Sequence, residues 1–432
     1  MALGGGTFVT QNKILPGTFI NFVSRASASA TLSDRGIATV PYTLDWGTLG
    51  VTEVSAGDFQ TNSLRLLGYD FADPKLKGLR DLFRNIRTAY LFRLGTGGTA
   101  ADSIYATAKC VGTRGNDLKV VIAANVDDPA RFDVSVFFGT VQVFAQTVTA
   151  AAELRENDFV TWKTGAALTV TAGTPLTGGV SPTVTNGDYQ TYLDQMESFS
   201  FNAMGCPSND TALKGLFTAY TKRMRDERGA KFQCVTYDNA ADFEGVINVM
   251  NKTTDGDDWG AVYWVTGVAA GTAVNASALN KVYDGEFTID VNCTQAQLEA
   301  AITGGKFAFH RVGSDIRVLA DINSLVTVTA DKGDIFKQNQ TIRVIDQIAN
   351  DIAVLFDTKY LGAVPNDADG RVSLWSDIVQ QHQQLQTIRA IENFTSADVT
   401  VTQGDTKQAV SVASAITIVN AMGQLYMVVT VS

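Results

Sequence analysis

The residues of this 432-residue chain best equipped to do chemistry are few and scattered. Gly95-Thr96-Gly97-Gly98-Thr99-Ala100 spells GxGxxA directly after the apolar run Tyr90 to Leu94, an arrangement that can lay a pyrophosphate on a helix N-terminus. That chemistry needs a helix after the glycines and an acid about twenty residues further on. The residues that follow are β-prone and no acid arrives until Asp117, so a hinge is the plainer reading. Gly305-Lys306 suggests a phosphate loop, but Phe307 stands where Mg²⁺ needs a hydroxyl and Ala300 where the first glycine belongs. Asp367-Ala368-Asp369-Gly370 resembles a calcium loop in which Pro365 takes the place of the first acid and Ser376 that of the closing Glu. It reads as a solvated turn, as does Asp255-Gly256-Asp257-Asp258.

Nucleophilic chemistry fares no better. The two histidines are His310 and His382, and no Ser sits in a GxSxG elbow. Cys293 and His310 would make a thiol pair only if the fold joined them; a Cys before a helix cap and a His at a strand end is the simpler account. Cys110, Cys206, Cys234 and Cys293 form no CxxC, which disfavours zinc and a disulfide framework and favours reduced thiols in a cytosolic product. The expectation is therefore no catalytic residue, no cofactor and no metal.

The net charge of −10 argues against a nucleic-acid binder, which needs a concentrated basic surface. Lys222-Arg223-Met224-Arg225 is the best basic patch, and Asp226-Glu227 follows it at once. Charged residues make up 18%, below the roughly 25% of ordinary domains, so the surface is unusually rich in neutral polar groups. The first residues lack the charged and apolar regions of a secretory leader. Trp259 to Asn280 is uncharged and carries a GxxxG, Gly267 to Gly271, but its Ala, Gly, Thr, Ser and Asn would insert poorly into a membrane. A buried strand Ala261 to Val265 leading into a small-residue helix is expected instead.

Periodicity supplies the elements that would position any site. Residues 1–35 read as an arm, with β-prone runs at Thr7 to Thr10 and Thr18 to Val23. The first stretch of the core, residues 36–94, has a strand Ile37 to Val40, a helix from about Asp73 with Pro74 in its first turn, and a strand Tyr90 to Leu94. Residues 95–188 read as a mainly β insertion, with strands near 104–108, 118–122, 132–138, 141–146, 158–162 and 168–171. Helix and strand alternation returns in the second stretch of the core, residues 189–392. It includes helices 189–196 and from a cap at Asn209 or Asp210, strands 199–201 and 232–236, and a helix 242–251. A capping box at Thr294, a hairpin around Gly313, and helices Asn339 to Tyr360 and Leu374 to Ala390 complete the stretch. Residues 393–418 are β-rich, and 419–432 end in a run where Leu425, Met427, Val429 and Val431 share one face. The class is α/β.

In that order of elements the chain resembles the contractile tail sheath proteins of myophages and phage-tail-like bacteriocins, particularly the prophage type of Gram-positive hosts. The resemblance runs through Pro16-Gly17-Thr18-Phe19-Ile20, residues 36–47, Gly112 to Asp117, Leu176-Thr177-Gly178-Gly179, Asp321 to Leu325, Ile342 to Asp346, and Leu425 to Val431. It departs at Thr18-Phe19, where the family usually has a PGVY-like strand, and in its Gly-rich start. The resemblance implies an α/β sheath core with an inserted, outward-facing β domain and extended N- and C-terminal β arms, and no enzyme. It implies a homo-oligomeric helical sheath around an inner tail tube protein, with baseplate and tail terminator proteins as further partners, no direct contact with nucleic acid and no membrane insertion. It places the protein in a virion tail or tail-like particle, assembled in the bacterial host cytoplasm. Expected intersubunit strands carry Thr18, Phe19, Ile20 and Phe22, and Leu425, Met427, Val429 and Val431; Arg343, Arg371 and Arg389 are candidates for intersubunit ion pairs. Excision of the insertion is expected to leave the α/β part folded. The alternatives are another contractile secretion-type sheath or shell protein, and a glycan-binding adhesive protein acting through the insertion.

Overall fold

The computed structural model describes residues 32–431. The chain enters through β1 (Ile37–Tyr42), turns at 43–49, and returns as β2 (Gly50–Ser55) and α1 (Ala56–Leu67). Neither β2 nor α1 is expected from periodicity, although Ser55 caps α1 through the Asp58 amide and Gly68 ends it at φ 79°. A single turn from Pro74 leads to the short α2 (Lys77–Phe83), so the helix expected from Asp73 is broken early, and β3 (Thr88–Arg93) follows.

Residues 100–175 build two small sheets from β4 (Ala100–Asp102), β5 (Ala106–Val111), β6 (Leu118–Ala124), β7 (Phe132–Phe138), β8 (Val141–Val148), β9 (Val160–Trp162) and β10 (Thr171–Pro175). One sheet runs β10-β6-β7-β8 and the other β4-β5-β9. Alternation explains the pairing: Val134, Val136 and Phe138 of β7 point inward with Leu118, Val120 and Ile122 of β6. Bridges Thr96 to Thr183, Thr99 to Val180 and Asp102 to Thr177 close the stem, so the glycine-rich GxGxxA segment is a strand-like neck rather than a phosphate loop.

Next come α3 (Asn186–Met196), β11 (Ala203–Cys206), α4 (Thr211–Arg223), β12 (Gln233–Tyr237), β13 (Val246–Val249), α5 (Ala261–Gly271), α6 (Gln295–Thr303) and β14 (Lys306–Phe307). They complete a seven-stranded sheet of order β14-β13-β12-β11-β1-β3-β2, parallel except for β2. One face packs α5, with Trp264, Val265 and Val268, together with α1 and α2; the other packs α3 and α4 through Tyr192, Leu193 and Phe217. This is the α/β class expected.

The strands expected at 199–201 and 168–171 fall later, at Ala203–Cys206 and Thr171–Pro175, and two expected elements change type. The segment 242–251 is a loop and then β13, because Asp238 and Asp242 take left-handed φ of 41° and 46° and Val246 to Val249 pair between β12 and β14. The segment Ala261 to Val265 is the first half of α5, not a strand. The apolar run is continuous, so periodicity alone does not separate the two. The GxxxG it carries has a packing role: a Cβ at Gly267 or Gly271 would collide with the Leu82 or Asn85 carbonyl at the end of α2.

A hairpin of β15 (Phe309–Val312) and β16 (Asp315–Val318) leads to the C-terminal part. That part contains α7 (Asn339–Leu355), continued by one wider turn to Tyr360, and α8 (Ala368–Thr387). The strands β17 (Ile391–Glu392), β18 (Val399–Gln403), β19 (Val410–Ser414) and β20 (Thr417–Ile418) follow. β17 pairs with β20 and β18 with β19, each pair forming a sheet of its own. Among the described residues no helix is long and apolar enough to cross a membrane.

Candidate assembly surfaces

The motifs that suggested chemistry are absorbed by the fold. Lys306 of the Gly-Lys pair lies in β14 and pairs with Asp238 at 3.2 Å. Asp367 is the N-cap of α8, its carboxylate accepting from the Gly370 amide, and Asp255 holds Lys77 at 2.7 Å and the Thr288 amide. His310 sits in β15 opposite Arg317, and no hydrogen bond joins it to Cys293. His382 is buried in α8, its Nε2 2.9 Å from the Ser414 hydroxyl and its ring against Phe394, and burial pulls its pKa down. Its Nδ1 has no side-chain hydrogen-bond partner among the described residues, so no carboxylate completes a triad there. Among the described residues no group of three or more His, Cys, Asp or Glu is placed to hold a metal ion.

The three arginines differ in position. Arg343 points inward from α7 and is 1–2% exposed; its guanidinium meets Asp321 at 2.5 Å and the Ala276 carbonyl at 3.0 Å. Burial alone would raise the Asp321 carboxyl, but Arg343, the Ala278 amide and Asn339 hold it below the usual range. Arg343 is thus committed within the subunit, a correction to its role as an intersubunit partner. The long-range approach of Asp321, set by the turn after β16, is what decides it. A second buried pair, Arg225 with Asp346 at 2.7 Å on both nitrogens, ties the end of α4 to the same helix, and no local sequence pattern marks it. Arg371 donates to the Asn366 carbonyl and side chain, and Arg389 is exposed at φ 60°; neither makes an ion pair among the described residues.

The insertion meets the core at a cross-braced joint. Trp46, from the turn between β1 and β2, is fully buried in the insertion's own core, 5.0 Å from the ring of Phe138 and 6.3 Å from Phe159. Gly68 at positive φ leaves room for its ring, since a Cβ there would overlap Trp46. Arg93, at the end of β3, is 1% exposed and donates to three carbonyls: Leu44 at 2.8 Å, Gly47 at 2.5 Å and Val111 at 2.9 Å. Arg114 reaches back to the Gly68 carbonyl and lies over the rings of Tyr69 and Phe138. The expectation that excision leaves the rest undisturbed therefore conflicts with the joint, because Trp46 would lose its enclosure.

The C-terminal arm is the opposite case. The last tethers are Val419 to the Ala390 carbonyl, and Gln340, which bonds the Val419 carbonyl and the Ala421 amide. From Met422 onward the described residues belong to no sheet and stand in solvent, Leu425 at 85% and Val428 at 93% exposure. The expected strand Leu425 to Val431 has the pattern of a strand and no ladder partner within the subunit. Thr18, Phe19, Ile20 and Phe22 lie outside the described residues. Edges that could accept a strand are present: β18 and β19 pair only with each other, which leaves an outer edge on each among the described residues.

Comparison with known proteins divides the chain into three matched segments. Residues 88–183 match the phage tail sheath protein beta-sandwich domain, 183–324 the phage tail sheath protein central domain, and 331–432 the phage tail sheath C-terminal domain. The phage-like element PBSX protein XkdK of Bacillus subtilis is 32% identical over the whole of both chains. The crystal structure of a sheath tail protein from Desulfitobacterium hafniense is 38% identical, with TM-score 0.80 over 94% of this chain and 98% of that one. The helical sheath of the anti-feeding prophage in its contracted state shares the fold at 12% identity, TM-score 0.56, covering 97% of this chain and 99% of that one.

Proposed function

The chain belongs to the phage tail sheath protein family, and from that premise we propose that its subunits polymerise helically around an inner tail tube and shorten on triggering to drive the tube through a target envelope. That it is a sheath subunit, a component of a virion tail or tail-like particle, follows from the family itself. The finer reading rests above all on one observation: an apolar, alternating arm stands exposed, while the strands among the described residues are paired.

In this reading Leu425, Met427, Val429 and Val431 supply a strand to a neighbour's sheet, with backbone bonds giving strength and the alternate side chains fixing register. The β18–β19 pair is the acceptor favoured by its free edges. Thr18, Phe19, Ile20 and Phe22 supply a second linking strand from the other end of the chain. Arms on short tethers let bodies rotate and slide without parting, which suits a polymer that changes pitch. Residues 95–188 form the outward-projecting domain, and Arg371 and Arg389 remain candidates for ion pairs between subunits. The tube protein, baseplate and terminator are the remaining partners, with assembly in the host cytoplasm. At −10 per subunit, stacked copies repel, so salt and divalent ions should favour assembly.

Deletion of residues 419–432 tests the reading. The truncated subunit is expected to stay folded and to form no ordered sheath by electron microscopy at concentrations where the full chain does. Ordered sheaths from the truncated chain would refute the role of the C-terminal arm.

A further inference from the structure

One groove of about 530 Å³ lies where α3, the start of β12, α7 and α8 converge. Its lining is mixed: Met196, Phe201, Met224, Phe232 and Leu355 form an apolar floor, and Asn202, Lys231 and Asn350 are polar. Gln381 of α8 also lines it. This carboxamide is 1% exposed, and among the described residues neither its oxygen nor its nitrogen has a hydrogen-bond partner. A buried amide left this way lacks both a donor and an acceptor, and another amide, such as a peptide group, supplies both at once.

The chain itself runs to this place. The Leu32 amide donates to Gln384 Oε1 at 3.1 Å, three residues from Gln381 on the same helix, and Ser33 Oγ donates to Asp351 at 2.6 Å. Ser33 and Asp34 are themselves part of the groove wall. Upstream lie 31 residues with the bulky run Phe19-Ile20-Asn21-Phe22-Val23, joined to Leu32 by the small residues Ser24 to Thr31 with one Arg. Eight residues can reach about 26 Å when extended, ample to turn back into a groove at their own exit. Charge agrees in sign: residues 1–31 hold Lys13 and Arg25 and no carboxylate, whereas the groove is lined by Asp34 and Asp351 against the single cation Lys231.

We propose that the groove seats residues 18–23 of its own chain in the unassembled subunit, with Phe22 on the apolar floor and an arm peptide group paired with the Gln381 carboxamide. Seating holds the arm away from neighbours until assembly releases it. Only that consequence rests on the arm being a linking strand; the seating itself does not.

Amide hydrogen exchange on the dilute, unassembled full chain tests the proposal. Residues 18–23 are expected to exchange at least tenfold more slowly than in Phe22→Ala, unchanged on tenfold dilution, and the Met196 and Met224 methyl resonances should shift in that variant. Gln381→Leu should keep its melting temperature yet lose the protection. Fast exchange of 18–23 in the unaltered chain would mean the groove holds water and would overturn the proposal. Protection that weakens on dilution would overturn it in favour of a second copy as occupant, and full protection in Gln381→Leu would remove the peptide pairing. Electron microscopy of the same samples separates the two readings: ordered sheaths without arm protection sink the seating alone, and protection without sheaths sinks the proposed assembly instead.

Discussion

The β insertion and the C-terminal arm both leave the α/β body, both are rich in β-branched and aromatic residues, and they end in opposite conditions. The insertion closes its apolar faces on themselves and borrows Trp46 from the core to do so, while the arm from Met422 onward buries nothing within the subunit. The difference teaches that strand pattern alone does not define a folded unit: satisfaction within the chain does. Where a stretch supplies two facing layers it becomes a domain, and where it supplies a single segment its backbone groups stay unpaired within the subunit.

Excising residues 96–183 with a short Gly linker is the severest way to break this comparison. It exposes Trp46 and strips Arg93 of the Val111 carbonyl, so soluble, cooperatively unfolding protein is expected to be lost. Recovery of a well-folded remainder would show that the joint is dispensable. Trp46→Ala isolates the apolar part of the joint and should cost about 4 kcal/mol in urea unfolding, as for a large buried aromatic.

The joint between the sheet and α7 is charged rather than apolar, and Asp321→Asn should cost about 3 kcal/mol by leaving Arg343 buried without its partner. The pH dependence gives its sign. A carboxyl held below its unfolded value contributes stability that is complete above about pH 4 and is lost as pH falls through the folded value. Acid titration of unfolding should therefore be flatter in Asp321→Asn; an identical acid limb would exclude this pair. Arg93→Met, which leaves three carbonyls without a donor, should cost about 2 kcal/mol, with Arg93→Lys recovering part of it.

At the small end, Val429→Lys should change subunit stability by less than about 0.5 kcal/mol, since the side chain stands in solvent. Its effect should fall on assembly, seen as loss of ordered sheath. A large stability loss from Val429→Lys would mean that the arm packs on its own body.

Much of the architecture was legible. Alternation marked Phe132 to Phe138 at its observed limits, the Thr294 capping box opened α6, and the apolar stripe from Asn339 opened α7 at the observed residue. The failures share a cause. In Ala261–Gly271 the helix is enclosed on nearly every side, so its sequence has no polar face to give it a period. Val246 to Val249 carries an apolar run too short to choose helix or strand without its neighbours β12 and β14. The alternation of the C-terminal arm is visible for the opposite reason, since an exposed segment keeps its pattern in view.

By itself the sequence determined the local periods, the caps, the absence of any recognisable catalytic motif and the alternating arm, because these depend on residues a few positions apart. Tertiary structure alone decided that Arg343 faces Asp321, that Arg225 grips Asp346 across 121 positions, and that Trp46 completes the insertion's core. Such partnerships join residues that the chain keeps far apart. A side chain's type limits what it can bind, but burial and proximity, which exist only once the chain has folded, select the partner.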